Sequence, residues 1–154
     1  MIAVPYSLLL MQKKEYYKAF TKGQQRCRGI LIIDNDADIT ITFKSEIEDS
    51  NNYSEVNKRI EVYISNDPVV ALSEFKPNFY DLLQVDINLA HMNGFELCEK
   101  LLAIDINVKL CFMSSVEINR EALTEIYPAS SLGYFIRKPN TIDYLLKRLR
   151  SELD

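Results

Sequence analysis

Apolar residues in this chain gather into short runs that stop at polar residues, and stretches of helical periodicity separate the runs. Ile30-Leu31-Ile32-Ile33 is wholly apolar, as a strand buried on both faces requires, and it stops at Asp34-Asn35-Asp36. Ile39, Phe43 and Ile47 then recur every fourth residue and predict one helical face. The β-branched pairs Ile39-Thr40 and Ile41-Thr42 make that helix dependent on tertiary packing. Residues 50–57 are polar and read as a loop, and Ile60–Ile64 reads as a second strand. Asp67-Pro68 opens a second helix, with Pro at its tolerated first position, and Pro77 ends it. Leu82–Val85 is a third strand, stopping at Asp86, and Asn93-Gly94 is a turn signal before a helix over Phe95–Ala103. Val108–Met113 is a fourth strand that ends at Ser114-Ser115, followed by a helix over Val116–Tyr127. Tyr134–Arg137 is a short fifth strand ending at Lys138-Pro139. Thr141 then caps a last amphipathic helix with Ile142, Leu145, Leu146 and Leu149 inward.

Five strands alternating with five helices predict an α/β fold: a doubly wound, five-stranded parallel sheet with helices on both faces. Right-handed crossovers leave few topologies, and order 2-1-3-4-5, the flavodoxin-like form, suits this length. The 154 residues make one domain of residues 29–154, and one helix after strand five leaves no room for a second folded domain. Residues 1–28 stand apart as an N-terminal extension. Leu8, Leu9, Leu10, Met11, Tyr16, Tyr17 and Phe20 there fit either a packed helix or a tail, and Met11 is an alternative start.

Charge changes the picture of partners. The net charge is −4, but residues 1–28 carry six Lys/Arg against one acid, so the body is strongly acidic. Nucleic acid needs a basic surface, and an acidic body suits a cation instead. No run reaches the roughly 20 apolar residues of a membrane span. Three cysteines, Cys27, Cys98 and Cys111, with no C-x-x-C spacing suggest neither a disulfide framework nor a zinc site. The expected location is cytoplasmic.

Ligands of open α/β sheets bind outside the carboxyl ends of the strands, at the switch point between strands one and three. Asp34 and Asp86 end those strands, and Ser114 and Lys138 end strands four and five. Clustered carboxylates bind a proton or recruit a cation, and hard oxygen donors favour Mg²⁺. With a nucleophilic carboxylate, a hydroxyl and an ammonium beside the metal, the set suits phosphoryl transfer through an aspartyl phosphate.

Those residues carry a family likeness. Residues 29–154 resemble the receiver domain of two-component response regulators. The matching stretches are Ile30–Asp36, Tyr80–Asp86 running into Met92-Asn93-Gly94-Phe95-Glu96-Leu97, Leu110–Ser115, and Tyr134–Pro139. The resemblance implies that Asp86 accepts a phosphoryl group from a sensor histidine kinase or phosphotransfer protein, catalysing its own transfer rather than turning over a substrate. It implies that Asp34, Asn35, Asp86 and the backbone carbonyl of Asn88 hold Mg²⁺. Ser114 takes the place of the switch hydroxyl and Lys138 of the family's Lys, before a Pro139 bond that is often cis. Phe135 falls at the aromatic switch position, although a core role is the plainer reading. A second copy of the chain is a candidate partner, and the downstream target is unspecified.

Some positions depart from the family pattern. Asn35 stands where a second carboxylate is usual, so Mg²⁺ should bind more weakly, and Asp36 is better suited to capping helix one. Ala90 replaces a usual Pro. Asp34 and Asp86 are 52 positions apart, an excess assigned to residues 50–58. Val116, two after Ser114, offers an apolar shield for an acyl phosphate. His91, the only histidine, reads as a solvated loop residue and not as a metal site. Two other readings compete with a stand-alone receiver. One is a degenerate receiver, a protein-binding module that Asn35 makes credible. The other is a haloacid-dehalogenase-like phosphatase using Asp34-Asn35-Asp36, which lacks the acidic strand-end motif required after Lys138.

Overall fold

Period-two alternation along buried strands decides which side chains meet which helix layer. The computed structural model describes residues 28–53, 59–138 and 141–153. The readings given to 1–27, to the Pro139 bond and to the side chain of Ile142 lie outside the described residues. Strands β1 (Arg28–Ile33), β2 (Ile60–Ser65), β3 (Leu82–Asp86), β4 (Lys109–Ser114) and β5 (Tyr134–Arg137) form one parallel sheet. Their order is β2-β1-β3-β4-β5, as the sequence predicts. Helices α1 (Ala37–Asp49), α2 (Pro68–Glu74), α3 (Gly94–Ile104), α4 (Arg120–Ile126) and α5 (Ile142–Leu153) alternate with the strands.

Leu31, Ile33, Leu83, Val85 and Phe112 face Ala71 of α2 and Phe95, Leu97 and Leu101 of α3. Ile30, Ile32, Leu82 and Met113 face Ile47 of α1 and Leu145 and Leu149 of α5. Helices therefore cover both sheet faces and leave the strand ends open for a site. Cys98 and Cys111 are free and buried in opposite layers. Burial pushes both thiols up, that of Cys111 to about 12.

Capping fixes several boundaries. The Asp36 carboxylate accepts the N–H groups of Asp38 and Ile39 at 2.9 and 3.3 Å, so it caps α1 as expected. Thr141 Oγ1 accepts the Tyr144 N–H at 3.2 Å at the start of α5. Three details differ from the sequence reading. Helix α4 begins at Arg120, not Val116, because Asn119 caps it through a 3.2 Å bond from the Ala122 N–H. Helix α3 begins at Gly94, one residue before Phe95, because Asn93 caps it by accepting the Glu96 N–H. Arg28, counted with the extension, is already the first residue of β1 and pairs with Ile60.

Candidate functional site

Sheet register brings the strand-end residues together. Ile33 pairs with Val85, and Asp86 with Met113, so Asp34 leaves β1 beside Asp86. Ladder-like bonds continue past the strands: the Asp34 N–H donates to the Ser65 carbonyl, and the Lys138 N–H donates to the Ser114 carbonyl at 2.7 Å. These backbone bonds aim three side chains at one point. Lys138 Nζ donates to Asp34 Oδ2 at 2.6 Å and to Asp86 Oδ2 at 3.1 Å. The three side chains are 17%, 6% and 13% exposed, so the pairing is largely screened from water.

Each member has further support. Asp34 Oδ1 accepts the Asp36 N–H at 3.0 Å, and the Asp34 carbonyl accepts Asn66 Nδ2 at 2.8 Å. Asn66 also donates to Thr40 Oγ1, tying the β2 end to α1. Sequence reasoning passed over Asn66, although the strand-end rule that selected the other residues points to it as well. Asp86 Oδ1 accepts the Asn88 N–H at 3.1 Å. Gly94 is needed by close approach: a Cβ there would lie 2.4 Å from the Asp86 carbonyl oxygen.

Electrostatics at the site oppose one another. Burial raises the Asp86 carboxyl, and the Asp34 charge adds to it, outweighing the lowering by Lys138 and the Asn88 N–H. Burial draws the Lys138 ammonium down, but its hydrogen bonds and attraction to Asp34 and Asp86 win and hold it above the ordinary lysine value. A carboxyl whose folded pKa is raised weakens the fold once pH exceeds the unfolded value, and the penalty is complete above the folded one. Asp86→Asn in chelator should therefore melt at a higher temperature than the wild type at neutral pH. The gain should disappear as pH falls below the ordinary carboxylate range, and thermal melts across that range provide the check.

Asp34, Asp86 and Lys138 thus meet as expected, and the remaining expected residues lie around them. The Ser114 hydroxyl is turned to Val116, donating to its carbonyl at 3.0 Å and accepting its N–H at 3.1 Å. Phe135 stacks on Phe112 with ring centroids 5.3 Å apart, under the Arg120 guanidinium at 4.8 Å. That is a half-buried position packed against the core beneath a cation. Asn35 Nδ2 donates to the Asn88 carbonyl at 3.0 Å, and Asn35 Oδ1 accepts the Ala90 N–H at 3.1 Å. His91, exposed in the same loop, takes a left-handed φ of 71°. The donors near Asp34 and Asp86 are all hard oxygens, which fits Mg²⁺. Among the described residues no three His, Cys, Asp or Glu side chains gather, so a cation here has two carboxylates to neutralise.

The profile of the response regulator receiver domain matches residues 30–150, and the chain belongs to that family. Among curated proteins, none matches. Similar solved structures include a two-component response regulator from Clostridium difficile, at 22% identity and TM-score 0.67, covering 82% of this chain and 95% of that one. The receiver domain of HemR from Leptospira biflexa shares 23% identity at TM-score 0.69, over 82% of this chain and 94% of its own. A CheY-like receiver domain protein from Methanospirillum hungatei JF-1 shares 23% identity at TM-score 0.67, over 84% and 95%. At such identities these structures establish the shared fold. Among the described residues no helix is long and apolar enough to cross a membrane.

Proposed function

We propose that this chain is a cytoplasmic receiver that takes a phosphoryl group onto Asp86 from the phosphohistidine of a sensor kinase or phosphotransfer protein. The supporting observation is the contact of Lys138 with both Asp34 and Asp86 in a largely buried corner of the sheet. Asp34, Asp86 and the Asn88 carbonyl are the donors for Mg²⁺; Asn35, fourth of the expected ligands, has its amide engaged by the loop. Bound Mg²⁺ neutralises charge on the transferring phosphoryl group.

The chain's own residues do the rest. An Asp86 oxygen attacks phosphorus, the P–N bond breaks as the P–O bond forms, and the bonding pair stays on the imidazole nitrogen. Lys138 then holds a phosphoryl oxygen with the same ammonium that bridges the two carboxylates. Ser114 gives up its bonds to Val116 and donates to another phosphoryl oxygen, which alters the surface near β4, α4 and β5. Phe135 follows that change only by giving up its contact with the Arg120 guanidinium.

Treatment with acetyl phosphate and Mg²⁺ should give one phosphoryl adduct by intact-mass spectrometry, and Asp86→Asn should give none. Loss of the adduct in the wild type as well would favour a protein-binding module that is never phosphorylated, the reading that Asn35 supports. The phosphatase reading is weakened by Asp36, whose carboxylate caps α1 and does not join Asp34 and Asp86. Val116 is 61% exposed beside Ser114. Val116→Gln should shorten the lifetime of the aspartyl phosphate severalfold, as followed by adduct decay, and an unchanged lifetime would remove Val116 from the account.

A further inference from the structure

Asn35 uses both ends of one amide on the loop that follows β3. Its Nδ2 donates to the Asn88 carbonyl, and its Oδ1 accepts the Ala90 N–H. Amide orientation is often ambiguous, but here a carbonyl on one side and an N–H on the other leave a single consistent assignment. The loop it grips is otherwise held by tight local turns, with the Leu89 N–H on the Ile87 carbonyl and the Met92 N–H on the Ala90 carbonyl. Two of the positions that depart from the family pattern are therefore joined: Ala90 supplies an N–H that a proline would lack, and Asn35 supplies its acceptor.

We infer that Asn35 is a positioning residue, an amide clasp that closes the metal-donor loop when no cation is bound and competes with Mg²⁺ for the Asn88 carbonyl. This inference rests on the proposed cation site and goes beyond it. An N–H group on a carbonyl oxygen takes one of its two lone pairs, draws on its electron density and sets a positive hydrogen beside any cation on the other, so the clasp and the metal oppose one another. A carboxylate at position 35 would do the opposite. It would add charge to the donors and could still accept the Ala90 N–H, but it could not donate to Asn88.

Three proteins separate these roles: the full-length wild type, Asn35→Ala and Asn35→Asp. Amide hydrogen exchange in chelator should show Ala90 protected in the wild type and in Asn35→Asp, and unprotected in Asn35→Ala. Mg²⁺ titration followed by NMR shifts of residues 86–90 should show Asn35→Ala binding about two- to tenfold tighter than the wild type, the range one net hydrogen bond covers. Asn35→Asp should bind tighter still. Weaker binding by Asn35→Ala would overturn the proposal and make Asn35 a ligand, and so would a fast-exchanging Ala90 amide in the wild type. If no protein responds to Mg²⁺, the cation site and the competition both fail, while Ala90 exchange still decides whether the clasp exists.

Discussion

Lys138→Met is expected to destabilise the protein by about 3–5 kcal/mol in urea unfolding at neutral pH, the range for breaking a buried ion pair by removing one partner. Two effects compete. Methionine keeps most of the aliphatic volume and removes the cost of desolvating an ammonium. It also leaves two nearly buried carboxylates facing each other with no cation between them, and at 6% and 13% exposure water cannot screen them well. The second effect should win. Because burial already raises the Asp86 carboxyl, removing the ammonium raises it further, so the deficit should shrink as pH falls and Asp86 protonates in the fold. In the wild type, the contribution of Lys138 is complete below the ordinary lysine pKa and is lost as pH rises through the higher folded value. A deficit that does not change with pH would show that Lys138 acts through packing instead.

Gly94→Ala should cost stability and disable the site together. Helix propensity favours alanine by up to about 1 kcal/mol. Against that, the new Cβ would fall 2.4 Å from the Asp86 carbonyl oxygen and 3.0 Å from Ile87 Cα, and both neighbours are backbone. Relief requires α3 to retreat from β3 or Asp86 to shift, at a cost of about 1–3 kcal/mol of overpacking. A shifted Asp86 also loses its 3.1 Å contact with Lys138. The expected result is a lower urea midpoint with slower adduct formation on Asp86. A variant as stable and as reactive as the wild type would mean that the loop can back away freely.

What the sequence made legible follows from locality. Buried parallel strands are short apolar runs, so Asp34, Asp86, Ser114 and Lys138 stood out as the polar residues that end them, and the topology placed them on one edge. Asp36 and Thr141 were readable as caps because capping acts over two or three residues. The start of α4 was not readable, since Val116 continues an apolar pattern and the stronger cap at Asn119 is decided by local hydrogen bonding. Gly94 carried a turn signal, but the reason for it lies in the distant Asp86 carbonyl. Asn35 was visible as a missing charge. Its clasp was not, because nothing in an asparagine's neighbours reveals that its amide will meet a carbonyl and an N–H more than 50 positions away.

A crystal structure of the beryllium fluoride complex with Mg²⁺ tests the account most directly. The fluoride-bound beryllium should be bonded to an Asp86 carboxylate oxygen, with Mg²⁺ between Asp34 and Asp86, Lys138 Nζ on a fluoride, and Asn35 turned away from the Asn88 carbonyl. An Asp86 carboxylate that stays bare at saturating beryllium fluoride and Mg²⁺, with Lys138 still bridging both acids, would contradict it.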